Sequence, residues 1–398
     1  MRLTDLLARY PTARLATPAD NARILALFER TPMQTSAFAV QYRRRPDFFR
    51  LLRYHSDRSF VLIGQDDDGT VGSVGTVSLR PGWVHGQPTT VGYLGDLRIA
   101  LDRVVSRAWR HLFTDLVMRA REIEELADCT HWFTVVMDGN HAARAALDTS
   151  RRFRSSGRRA ARPEVPAFVP IGPFTMRNLI MRLPLAGWFR RDVRWSVRDA
   201  RADDRAALTT FFEEENRCLP LGFRGELVRR MSCWDHLSIT DFVYAADEHG
   251  IVGCVAPWSA ALAKQTVVSR IPAAIRLLGR GARLLPAPPV RVPEPGEPLR
   301  TSYLTHLTFA SRLGADARRE VFRAMLQRVF DRARIADWHC VALCDFNAWN
   351  LGRALSGFIQ QTVPITVYAV VPPGHTPAAG VMEAMDGFSP PAFEMAMV

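Results

Sequence analysis

Apolar and polar positions alternate along the chain in a recurring order. Arg14-Leu15-Ala16 predicts a short strand, Thr17-Pro18-Ala19-Asp20 a turn that Asp20 can cap, and Ile24-Leu25-Ala26-Leu27-Phe28 an amphipathic helix. Phe60 to Gly64 reads as a strand, Gln65-Asp66-Asp67-Asp68-Gly69 as a turn, and Thr70 to Leu79 as the returning arm of a hairpin. A third strand, Thr90 to Ile99, leads into a helix from Val104 to about Glu124. The strand Trp132 to Met137 leads into a helix around His141 to Leu147. Arg151 to Arg162 predicts a solvated basic loop, and two further strands follow near Ala167–Ile171 and Phe174–Met181.

The same order then returns. Tyr93-Leu94-Gly95-Asp96-Leu97-Arg98-Ile99-Ala100 reappears as Tyr303-Leu304-Thr305-His306-Leu307-Thr308-Phe309-Ala310, keeping Tyr, both Leu and Ala at one spacing. Asp203, Leu208 and Phe211 echo Asp20, Leu25 and Phe28, and a second hairpin spans Phe242 to Val255. Each copy ends an apolar strand on an Asn, at Asn140 and Asn347. A repeat of this length is a whole domain. The expected division is residues 1–187 and 188–398, joined through a linker at Pro184 to Asp192. The second unit carries a basic and Pro-rich insertion at about 259–300. The expected fold is α/β (α+β): two tandem units, each a mixed, mostly antiparallel sheet flanked by helices.

Composition narrows the picture. With 398 residues, 47% of them hydrophobic, each unit can bury its own core. The formal charge of +12 comes almost wholly from scattered Arg, with Lys264 the only Lys. No clustered basic and aromatic face appears, which argues against nucleic acid as a partner. None of the six cysteines forms a C-x-x-C pair, and the near pair Cys340 and Cys344 lacks a second cluster, so no metal is expected. Without an apolar signal core or a run approaching 18 apolar residues, a reduced cytoplasmic protein with no transmembrane segment is expected. The basic amphipathic stretch in 265–285 would suit peripheral contact with an anionic membrane or a lid over an acyl chain.

The candidate chemistry lies after the third strand of the first unit. A helix's first turn has unpaired N–H groups and the positive end of its dipole. A diphosphate can sit there when small side chains let it approach. Arg103-Val104-Val105-Ser106-Arg107-Ala108 offers small residues at Ser106 and Ala108, with charge from Arg103, Arg107 and Arg110. This stretch, with the strand before it and Asn140-His141-Ala142-Ala143 after it, resembles the GNAT acyltransferase superfamily. The family's phosphate motif is Q/R-x-x-G-x-G/A, and here Ser106 stands where the first Gly would be. The resemblance implies an acyl-CoA co-substrate, acetyl-CoA or another acyl-CoA. It places the coenzyme along Leu97, Ile99, Arg103, Val104, Val105, Ser106, Arg107 and Ala108, with Asn140 and Ala143 near its pantetheine arm.

Two departures concern catalysis. Leu147 stands where many family members carry a Tyr that protonates the leaving thiolate, and Tyr93 where many carry a general-base Glu. Asp96, three residues on, faces the other way in a regular strand, and a bulge there would re-aim it. Asp96 is therefore the candidate base and Tyr93 a candidate acid or relay. In the second copy Asp316 and Glu320 put negative charge where a phosphate would sit, so that copy is expected to lack the coenzyme and shape the acceptor pocket. The implied activity is N-acylation, with acetyl transfer to a small-molecule amine as the default. Alternatives are transfer of a longer acyl group from coenzyme A or a carrier protein, and an inactive acyl-CoA-binding regulator.

Overall fold

The computed structural model describes residues 1–31, 39–100, 103–141, 143–145, 166–182, 195–270, 277, 293–294, 296–332, 338–372 and 389–397. For 39–40, 103–108, 110, 181–182 and 269–270 it describes the backbone alone. The first half contributes β1 (Ala13–Leu15), β2 (Ala39–Arg43), β3 (Arg58–Gln65), β4 (Val71–Val84), β5 (Gln87–Ile99), β6 (Cys129–Met137) and β7 (Ala167–Arg182). The second contributes β8 (Ser196–Asp199), β9 (Gly222–Phe223), β10 (Val243–Asp247), β11 (Gly250–Trp258) and β12 (Gln265–Arg270). It ends with β13 (Thr301–Phe309), β14 (Cys340–Phe346) and β15 (Phe358–Val371).

One mixed, mostly antiparallel sheet runs through both halves in the order β1-β3-β4-β5-β6-β15-β7-β14-β13-β11-β10-β8. The order is palindromic in the repeat, and its centre is an exchange. β15 pairs with β6, from Ile365↔Met137 to Val370↔Trp132, while β7 pairs with β14, from Val341↔Leu179 to Phe346↔Phe174. β7 and β15 also pair with each other, from Phe358↔Arg182 to Val371↔Ala167. Each half's sheet is thus completed by the other half's last strand. The expected pair of strands at 167–181 is a single strand. Gly172 and Pro173, which read as a break, fall at a register shift that the sheet absorbs.

Alternation in β3 assigns the two faces of the sheet. Leu62 packs under the helix Arg103–Met118 with Trp109, Leu112 and Leu116, together with Leu94 and Trp132. Val61 and Ile63 point the other way, onto Ile24, Leu27 and Phe28 of the helix Asn21–Arg30. Tyr93 and Phe133 also lie on this second face. The helix that opens at Arg103 ends at Met118, with a tight turn over Ala120–Glu122, short of the expected Glu124. Gly75 lets it approach closely, since a Cβ there would stand 2.8 Å from the ring of Phe113.

Two segments escaped the sequence pattern. β2 and β12 form a separate two-stranded ribbon, with Gln265 opposite Arg43. Residues 265–270, expected to open an amphipathic membrane-facing stretch, are therefore a strand, and 271–276 and 278–292 lie outside the described residues. The chain's 389–397 segment is the second, with Ala392, Met395, Ala396 and Met397 all buried. The linker 184–192 and the loop 151–162 lie outside the described residues. Among the described residues no helix is long and apolar enough to cross a membrane.

Candidate active site

The site begins with a break in the β4–β5 ladder. Thr76 pairs with Gly95, but Val74 pairs with Arg98, so Asp96 and Leu97 bulge out, and Asp96 takes a positive φ of 52°. The second copy repeats this. Ala256 pairs with Thr305 and Cys254 with Thr308, leaving His306 at φ 54°. The bulge that Asp96 needs is present, and it occurs twice.

Beyond the bulge the sheet opens. The parallel β5–β6 ladder runs from Thr90↔Cys129 to Leu94↔Thr134, yet the strands continue to Ile99 and Met137. Thr134 Oγ1 donates to Leu94 O at 2.8 Å at the last paired position. Four residues after Ile99 the helix Arg103–Met118 starts. A helix N-terminus therefore stands next to a gap between two parallel strands.

The ribbon supplies the far wall. Because Gln265 lies opposite Arg43, the next residues, Lys264 and Arg44, come together beside the bulge. Arg44 is buried and its Nη2 donates to Asp96 Oδ1 in an ion pair. Lys264 is also buried, its Nζ donating to Met395 O at 3.0 Å and standing 4.8 Å from the Tyr303 ring centre. Burial, and then the charge of Arg44, pulls Lys264 down to about 7, against an upward pull from Asp96. Tyr93 is stacked between His55 and Phe133, with ring centres 5.1 and 5.0 Å away. Burial, reinforced by Asp96, pushes its phenol well above the ordinary value, so the hydroxyl keeps its proton. Burial lowers His55 to about 3, against the opposing hydrogen bond to Met397 O, and keeps the imidazole neutral.

The structure brings Asp96 and Tyr93 together with three residues that the sequence did not single out: Arg44, Lys264 and His55. One signal was available, since Lys264 is the chain's single lysine. Among the expected coenzyme contacts, Leu97 is exposed and Ile99 packs half-buried beside the core under the helix. Arg103, Val104, Val105, Ser106, Arg107 and Ala108 form the helix opening, described in backbone only. Asn140 Oδ1 accepts the Ala143 N–H at 3.1 Å and caps the turn that follows β6. Leu147 lies outside the described residues.

The second copy's equivalent place is filled differently. Its β13–β14 ladder ends at Tyr303↔Ala342, and beside it lies a small pocket bordered by His306, Leu307 and Trp349. The chain's own Pro391, Ala392, Phe393 and Glu394 form another wall. Glu394 Oε1 accepts the His306 N–H of the second bulge at 2.8 Å and pairs with Arg230 at 3.1 Å. Arg230 in turn pairs with Glu226 at 3.2 Å. His306 is enclosed by Phe212, Trp234 and Phe242, and burial keeps its ring neutral. Asp316 stands in the first turn of the helix Ala315–Asp331, so this copy presents a carboxylate where the first presents Arg103 to Ala108.

A palindromic sheet with exchanged last strands, a repeated bulge and a strand gap beside a helix N-terminus define the GNAT fold in tandem. The solved structures agree with this assignment. Saccharomyces cerevisiae N-myristoyltransferase with bound myristoyl-CoA matches at TM-score 0.53 and 9% identity, over 90% of this chain and 82% of that chain. The GCN5-related glucosamine N-acetyltransferase region of a fungal multi-domain GH3 beta-N-acetylglucosaminidase matches at TM-score 0.56 and 10% identity, over 90% of this chain and 38% of that one. Likeness at this identity defines the fold. No protein-family model and no curated protein matches the chain in sequence.

Proposed function

We propose that this protein is an acyl-CoA-dependent N-acyltransferase whose first copy carries the chemistry, with acetyl transfer to a small-molecule amine as its reaction. The carrying observation is the Asp96 bulge at the mouth of the β5–β6 gap, four residues before a helix N-terminus. The helix amides opening at Arg103 suit the coenzyme's diphosphate, and the gap suits its extended arm. Asn140 and Ala143, at the end of β6, border that arm.

The repeat suggests where the thioester carbonyl binds. In the second copy the bulge amide, His306 N–H, is taken by a carboxylate oxygen of the chain itself. In this reading its counterpart, the Asp96 N–H, polarises the carbonyl oxygen. The amine nitrogen attacks the thioester carbon from the face bearing Asp96 and Tyr93. A C–N bond forms, the C–S bond breaks, and the thiol leaves with coenzyme A. In this reading Asp96 takes the proton that the amine loses, and it passes to the leaving thiolate with Tyr93 as relay, so that the phenol ends protonated. Orientation and the polarising amide supply much of the acceleration.

Calorimetry with acetyl-CoA, followed by thiol release across an amine panel, tests the reading. Micromolar coenzyme binding is expected, to be lost in Ser106→Glu, which sets a bulky anion at the helix opening. Binding that survives in Ser106→Glu overturns the placement. Transfer of a longer acyl group is a second reading, supported by the likeness to N-myristoyltransferase. It predicts faster thiol release from myristoyl-CoA than from acetyl-CoA. Coenzyme binding with no thiol release from any amine would instead mark a regulator.

A further inference from the structure

Arg44 is only half used. A guanidinium carries five N–H donors in a flat fork. Nη2 is committed to Asp96, whereas Nη1 is buried and has no hydrogen-bond partner among the described residues. The Arg44 residue as a whole is 5% exposed. A buried donor without an acceptor is costly, and the acceptor that repays it best is an anionic oxygen. This spare nitrogen belongs to the side chain that holds the candidate base.

The Arg44–Asp96 pair also has a complementary shape. A cation and an anion in contact present opposite charges side by side. An α-amino acid does the same, with ammonium and carboxylate on one carbon. Laid against the pair, its ammonium faces Asp96 and its carboxylate faces Arg44 Nη1, giving a closed square of alternating charge. A simple alkylamine satisfies only the Asp96 corner. An amino-acid amide offers Arg44 a neutral oxygen, which accepts a weaker hydrogen bond.

We propose that the acceptor is an α-amino acid whose carboxylate docks on Nη1 of Arg44, so that the product is an N-acyl amino acid. The proposal rests on the N-acyltransferase reading and names the acceptor class of that same site. Arg44 acts here as a positioning residue: it holds the zwitterion so that the ammonium meets Asp96, which takes one proton, freeing the nitrogen lone pair, and releases it to water, while the second proton lost by nitrogen ends on the leaving thiol. The reaction remains amide formation with release of the thiol, and needs no other co-reactant.

Two measurements on the full chain test it. In the first, thiol release from acetyl-CoA is followed with each common amino acid, its carboxamide and the matching decarboxylated amine. The carboxylate form is expected to lead in kcat/KM by about ten-fold or more for the side chain accepted, mostly through KM. In Arg44→Lys, which keeps a cation beside Asp96 and loses the fork, that lead should shrink toward unity. Equal use of the carboxamide or the amine, or a lead unchanged in Arg44→Lys, overturns the proposal. The second measurement is calorimetric binding of N-acetyl amino acids and their carboxamides without coenzyme. Here too the carboxylate form should bind about ten-fold more tightly, and equal or absent binding of the two counts against the proposal. Failure of acetyl-CoA to bind would overturn the acyltransferase reading alone, because the product-binding comparison is decided without it.

Discussion

At the residue scale the two candidate catalytic side chains were visible in the sequence, and the groups that govern them were not. Asp96 and Tyr93 stand in a repeated octet, and their candidate roles follow from the resemblance to the GNAT superfamily. Arg44 and Lys264 lie 52 and 168 residues from Asp96, and only the ribbon register brings them there. Asp96→Asn should lower kcat/KM by about 10²–10⁴, with acetyl-CoA affinity retained in calorimetry. Lys264 makes a separate prediction about pH. Its folded value is near 7, while an unfolded lysine holds its proton to 10.5, so unfolding takes up a proton between those values. The contribution of Lys264 to stability should therefore rise with pH across that window, as the linkage relation requires. The slope should be lost in Lys264→Met, with denaturant midpoints at pH 7, 8.5 and 10 as the measurement.

At the element scale, hairpins and repeated strands were legible because turn chemistry and alternation are local signals. The bulges were anticipated only as the condition that Asp96 required. They arise from a register mismatch with the neighbouring strand, and no single segment encodes that. β2, β12 and the 389–397 segment were missed for a related reason: each is ordered by partners far away in sequence. The tail's anchor is the buried chain Glu226–Arg230–Glu394, whose last member also receives the His306 N–H. Glu394→Ala leaves a buried guanidinium with half its charge partners and a buried amide with none. The expected destabilisation is about 3–5 kcal/mol in equilibrium unfolding. Glu394→Gln keeps an acceptor for the amide and should lose less.

At the scale of the whole molecule, the tandem was readable and its wiring was not. Repetition announces two copies, but nothing in β7 or β15 states which sheet each joins. Both strands are long and only partly buried, and their pairing is settled by the finished sheet. A fragment of residues 1–182 would lack β15 beside β6 and leave the Cys129–Met137 edge bare. It should aggregate or dimerise by size-exclusion chromatography. Mixed with a fragment of 195–398, it should recover a 1:1 complex with the full chain's circular dichroism.

The exchange of last strands also bears on how such a chain could have arisen. Two identical single-copy subunits, each lending its final strand to its twin, would give the same mirror-ordered sheet around a two-fold axis. Fusing their genes would leave that architecture intact while releasing each half from having to stay like the other. One half could then seat a carboxylate of its own chain against its bulge amide, as Glu394 does at His306. Neither half could be deleted, because the other's sheet would lose a structural strand along with it.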